Sequence, residues 1–244
     1  MTPLARLAPH QTPELRQAAG ETLRPGGLEL TQRALAICDL APGARVLDLG
    51  CGLGASAAFL AEQGMTALGL DSAADKLAEA RSLHPGLALV RGDAQDPPLA
   101  GNSLEAVFCE CVLSLCPRPQ AVLTACRRLL RPGGWLVLSD LYLRRPELAP
   151  APAAGAGSGC LAGARGKGAL LELVARAGLE LALWEDHSRL LNQLAARLVF
   201  ACGSLAGLWA FLGLGESCGA DPRPAKPGYY LLLARNPEDG HGRS

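Results

Sequence analysis

The sequence predicts an α/β fold in which a mainly parallel sheet carries helices on both faces. Three observations lead to it. Short apolar runs alternate with segments of helical period throughout the 244 residues. The first run, Val46–Leu49, feeds straight into glycines at every second position: Gly50, Gly52 and Gly54. The first three runs also each bring an aspartate to their carboxyl end, in turn Asp48, Asp71 and Asp93.

The elements follow in order. Residues 1–22 read as a flexible, loosely docked N-terminus ahead of one domain over 23–236. Leu28 to Leu40 has helical spacing and stops at Ala41-Pro42-Gly43. Val46–Leu49 is the first strand, and Ala55–Gln63 its crossover helix, closed by Gly64. Thr66–Leu70 is the second strand, ending at Asp71. Ser72-x-x-Asp75 has the form of a capping box and opens a helix to about Leu83. Leu87–Val90 and Ala106–Cys109 are the third and fourth strands. Pro119 suits the first turn of a helix to Leu130, which Arg131-Pro132-Gly133-Gly134 breaks before a fifth strand, Trp135–Ser139. Residues 145–166, rich in Ala, Pro and Gly, read as a linker or lid. Gly168–Ala177 is a helix, Leu179–Glu185 a strand, Arg189–Leu212 a long apolar helix within an insertion at 188–227, and Tyr229–Ala234 the last strand. Residues 237–244 form a polar tail.

Composition narrows the function classes. Formal net charge is zero, so there is no electrostatic footprint for nucleic acid or an anionic membrane surface. No apolar run reaches the roughly 18 residues of a membrane span, and Pro3, Pro9 and Pro13 interrupt anything resembling a signal peptide. Nine cysteines without an export signal point to a reduced, cytoplasmic protein. Cys38, Cys126 and Cys202 read as small buried apolar residues. His10, His84, His187 and His241 are scattered, and Cys111 and Cys116 lack partners at ligand spacing, so no metal centre is expected.

The glycine loop after a buried strand is the strongest motif. Without Cβ atoms the backbone can turn sharply and touch a bound molecule. In open α/β sheets ligands sit at the carboxyl edge, where Asp48 lies. Asp71, at the end of the second strand and 17 residues beyond Gly54, can accept from both hydroxyls of a ribose. Asp93, in Arg91-Gly92-Asp93-Ala94, is on its own a commonplace turn residue.

Val46-Leu47-Asp48-Leu49-Gly50-Cys51-Gly52-Leu53-Gly54 resembles the first motif of class I S-adenosylmethionine (SAM)-dependent methyltransferases. From about Gly26 to Asp140 the chain resembles methyltransferases of the menaquinone-biosynthesis and arsenite types, including the turn and strand Arg131-Pro132-Gly133-Gly134-Trp135-Leu136-Val137-Leu138. The resemblance implies a seven-stranded Rossmann-like sheet, parallel with an antiparallel last strand. It implies SAM as cofactor, held by Asp48, Gly50, Cys51, Gly52, Gly54, Asp71, Ser72, Asp93, Ala94, Glu110 and Cys111. In that scheme Asp48 lies near the methionyl end, and Asp93 accepts from the adenine amine.

On the acceptor side, Cys109-Glu110-Cys111-Val112-Leu113-Ser114-Leu115 resembles an arsenite-methyltransferase stretch with Asn where Glu110 stands, which makes Glu110 a candidate base. The segment around Cys160, and the position of Cys218 before the last strand, resemble that family's metalloid-binding thiols. The implied function is methyl transfer to a small-molecule acceptor, with a soft metalloid or thiol favoured and Glu110, Cys160 and Cys218 as catalytic candidates. Two alternatives stand beside it: a SAM-binding accessory protein without transfer activity, and a nicotinamide oxidoreductase, since Gly50-x-Gly52-x-x-Ala55 also satisfies the looser dinucleotide fingerprint.

Overall fold

Along a computed structural model of the chain, described over residues 20, 22, 24–149, 160–202 and 223–238, strands and helices alternate as the pattern requires. The order is α1 (Glu29–Cys38), β1 (Arg45–Leu49), α2 (Ala55–Glu62), β2 (Thr66–Asp71), α3 (Ala74–Leu83), β3 (Ala88–Arg91), β4 (Leu104–Glu110), α4 (Pro119–Leu129), β5 (Leu130–Leu143), β6 (Arg165–Gly166), α5 (Lys167–Arg176), β7 (Glu180–Asp186), α6 (Ser188–Cys202) and β8 (Pro227–Arg235).

Seven strands line up as β3-β2-β1-β4-β5-β8-β7, and the two-residue β6 pairs with the end of β5. β1 runs parallel to both β2 and β4, whereas β8 is antiparallel to β5 and to β7. The antiparallel last strand therefore stands as expected, and β6 is an addition to the seven. Two residues have no periodicity from which a strand could be read.

The central strands are buried on both faces, as βαβ crossovers demand. On β4, Ala106 and Phe108 join the apolar cluster under α1 and α6, while Val107 and Cys109 join the cluster under α4 and α5. On β8, Tyr229 and Leu231 face the first cluster and Tyr230 and Leu232 the second. This period-two division fixes the strand register, because a one-residue slip would exchange the two cores.

Several local expectations change. The capping box does not form: Ala73 is the N-cap of α3 with no side-chain bond, and Ser72 is exposed. Asp71 does that work instead, its Oδ1 accepting the Ala73 N–H at 2.9 Å. A carboxylate at the strand end already lies at the positive end of the helix, so the serine is not needed. α1 stops at Cys38, with Asp39 in the left-handed region at φ 46, before the expected Leu40. Both ends of the 145–166 segment are docked: Pro146–Leu148 forms a 3-10 turn, Leu161 is buried, and β6 joins the sheet. α6 is described to Cys202, so the rest of the expected Arg189–Leu212 helix, together with Cys218, lies outside the described residues. No described helix is long and apolar enough to cross a membrane.

Candidate cofactor site

The site is assembled at the carboxyl ends of β1, β2, β3 and β4. β1 enters a loop in which Gly50, Gly52 and Gly54 have φ of 80, 53 and 84, all in the left-handed region. The backbone N–H groups of Gly50 and Cys51 both donate to Leu70 O, at 2.7 and 2.9 Å, which ties the loop to β2. A Cβ on Gly50 would stand 2.3 Å from Val112 Cγ2, whereas one on Gly52 would meet nothing within 4 Å. The loop is thus packed against its own fold at Gly50 and open at Gly52. The Cys51 thiol turns inward, against Gly69 of β2.

Asp48 is buried, and its Oδ2 accepts the Ala57 N–H of α2 at 3.1 Å. Burial, reinforced by the nearby Glu110 carboxylate, pushes its pKa up to about 7. Asp71 is also buried. Its Oδ2 accepts the Gly52 N–H at 2.9 Å while Oδ1 holds Ala73. Asp93 is exposed beyond β3, where its carboxylate accepts the Gln95 N–H at 2.8 Å, and that bond holds it below the usual carboxylate range. Ala94 beside it is half-buried.

Glu110 lies at the end of β4 and is bound from an unexpected direction. Arg24, just ahead of α1, places Nη1 2.7 Å from Glu110 Oε2, with the two side chains only 5% and 1% exposed. Thr31 Oγ1 lies 3.1 and 3.2 Å from the two carboxylate oxygens and also accepts from Arg24 Nη2 at 2.5 Å. Ser139 Oγ adds a contact at 3.4 Å. Glu110 is therefore part of a buried ion pair that fastens α1 over the sheet edge, rather than a free carboxylate. Sequence reasoning missed Arg24 because a lone arginine before Pro25-Gly26-Gly27 carries no pattern. Thr31 left a trace, as a polar residue on the α1 face that buries Leu30 and Ala34.

Next to Glu110, Cys111 occupies the left-handed region at φ 56, which aims its Sγ at Tyr229 OH, 3.1 Å away. Cys160 is half-buried, and it lies near enough to Cys111 to disfavour ionisation of the Cys111 thiol. Burial pushes the Cys160 thiol up to about 12. The loop carrying it rests on Ser114: a Cβ on Gly163 would stand 1.8 Å from Ser114 O. Ser114 is in turn held by the buried Asp140, through N–H and Oγ bonds of 2.8 and 2.7 Å. Cys111 and Cys160 thus come together, and Cys218 lies outside the described residues.

Residues 47–138 match the family model described as a methyltransferase domain. This stretch, from β1 to β5, is what the chain shares with methyltransferases. An uncharacterized methyltransferase of Synechocystis sp. is 35% identical over 124 residues, covering 50% of this chain and 58% of that protein. A demethylmenaquinone methyltransferase of Beutenbergia cavernae is 39% identical over 99 residues, covering 41% of each. The chain thus spans about half the length of these curated relatives. Among solved structures, phosphoethanolamine N-methyltransferase 2 of Haemonchus contortus in complex with SAM superposes with a TM-score of 0.70 at 16% identity, covering 91% of this chain and 56% of that one. The methyltransferase match sets the nicotinamide reading aside.

SAM is the cofactor of this domain class. The residues present fit it. The open face beside Gly52 gives the space, Asp71 and Asp93 offer carboxylates where hydroxyl and amine donors would arrive, and Asp48 and Glu110 supply negative charge for a cationic methionyl end.

Proposed function

We propose that the protein transfers a methyl group from SAM to a small-molecule acceptor. The observation that carries the reading is the placement of Asp48, Asp71 and Asp93 at the carboxyl ends of three neighbouring strands, with Asp71 bonded to the glycine loop. In this reading Gly50, Cys51, Gly52 and Gly54 line the cofactor, Asp71 and Ser72 take its ribose, Asp93 and Ala94 its adenine, and Asp48, Glu110 and Cys111 its methionyl end. Bound SAM supplies a methyl group already activated by its sulfonium. The chain's part is then to align the acceptor behind that methyl and to keep water out.

The Arg24 ion pair bears on the acceptor. A carboxylate held by a guanidinium and a threonine is poorly placed to take a proton, so Glu110 suits charge positioning better than the base role expected of it. A site without a free base favours a nucleophile that needs none, such as a thiol, a selenol or a trivalent arsenical. Two neighbouring thiols, Cys111 and Cys160, support the soft-acceptor subtype, because thiolates coordinate thiophilic centres. Cys218 remains the further thiol of that proposal. A cytoplasmic, reducing setting would keep these groups available.

The test is a labelled-SAM assay under reducing conditions, run in parallel with arsenite, selenite, small thiols, quinols and a cell extract. Label in the thiol or arsenite pool is the expected result. Label in quinols alone would replace the soft-acceptor subtype. Tight SAM binding with no labelled pool would point to a SAM-binding accessory instead.

A further inference from the structure

The buried charges at the strand ends do not balance. Asp48, Asp71, Glu110 and Asp140 are all buried acidic side chains, and Arg24 is the one buried cation among the described residues. Arg24 is committed to Glu110 at 2.7 Å, with Nε donating to Gly27 O at 2.9 Å and Nη2 to Thr31. Asp48 has the Ala57 N–H and, among the described residues, no ion-pair partner. Cys111 and Tyr229, which also face Arg24, are kept neutral by burial. The buried acidic side chains of the site therefore outnumber its one buried cation.

SAM carries an ammonium, a sulfonium and a carboxylate, for a net charge of +1. Its demethylated product loses the sulfonium charge and is net neutral. We propose that Arg24 and Glu110 set the charge balance of the site and so determine its preference for the sulfonium cofactor over the thioether product. This rests on the reading of the loop as a SAM site. Arg24 offsets Glu110, so the acidic character the cofactor meets comes from the site's other carboxyl groups. Without Arg24 the site would favour the cation more strongly. Without Glu110 it would distinguish substrate from product less, and the product would compete. The role is electrostatic positioning, with neither side chain acting on the methyl.

The test uses calorimetric dissociation constants for SAM and S-adenosylhomocysteine on the full chain and three variants. Arg24→Gln leaves Glu110 uncompensated, and the preference for SAM should rise about tenfold, the effect of one charge acting across a partly buried site. Glu110→Gln should lower it by a similar factor. The double variant restores the original charge balance and should return the preference to that of the unmodified protein. A merely structural ion pair would weaken both ligands together in each single variant and leave their ratio unchanged, which would overturn the proposal. If Arg24→Gln fails to fold, the ratio in Glu110→Gln and its recovery in the double variant carry the same decision. Failure of the unmodified protein to bind either ligand would overturn the cofactor reading itself, an outcome distinct from a constant ratio.

Discussion

Asp71 reaches across the mouth of the glycine loop and accepts the Gly52 N–H at 2.9 Å, while its other oxygen holds the first turn of α3. One carboxylate thus fixes the loop, the helix entry and its own orientation. In the proposed complex its remaining lone pairs meet the ribose with little reorganisation, which is where preorganisation gains affinity.

Asp71→Ala should therefore weaken SAM binding by about 1–3 kcal/mol, the usual cost of leaving polar partners unpaired. Calorimetry measures this directly. An unaltered dissociation constant in a folded variant would count against the ribose assignment.

Gly50 and Gly52 separate backbone strain from packing. Both have positive φ, so alanine at either position costs on the order of 1–2 kcal/mol. At Gly50 the added Cβ also collides with Val112, and overpacking adds about 1–3 kcal/mol. Thermal denaturation should show Gly50→Ala clearly less stable than Gly52→Ala. Equal losses would mean that the Val112 contact yields freely.

Asp48 and Asp140 make folding sensitive to pH. Burial raises Asp48 to about 7 and Asp140 to about 6, so the folded state holds their protons more tightly than the unfolded chain. Their contribution is full below about pH 4 and is lost as pH rises through 6 to 7. Glu185 acts in the opposite sense: its bond to Arg33 lowers it to about 2, so its contribution fades only in acid. The melting temperature of the ligand-free protein should fall between pH 5 and 8, and Asp48→Asn should flatten that slope. SAM, by bringing positive charge to Asp48, should bind more tightly as pH rises through 7.

The thiol proposal has its own test. Cys160→Ser and Cys218→Ser should each abolish arsenite-dependent turnover while SAM affinity stays unchanged. Since burial keeps the Cys160 thiol protonated at neutral pH, its alkylation by iodoacetamide should also be slow. Full turnover in both serine variants would remove the soft-acceptor subtype.

The cofactor half of the site was legible because its determinants are local. Positive φ at alternate residues demands glycine, and a strand end demands an acceptor for the next helix, so Gly50, Gly52, Asp48 and Asp71 stand out in the chain itself. The ion pair joins residues 24 and 110 through the tertiary fold, and no short-range pattern connects them. For the same reason Glu110 was visible as an acidic residue after a strand, but its guanidinium partner, which changes its chemistry, was not. β6 was hidden because two residues carry no period, and the capping role passed from Ser72 to Asp71 because strand geometry overrode a sequence signature.

The most direct measurement is a calorimetric titration of the full chain with SAM and, separately, with NAD. The account predicts saturable binding of SAM with one site per chain, weakened by Asp71→Ala, and no binding of NAD. Saturable NAD binding without SAM binding would contradict it.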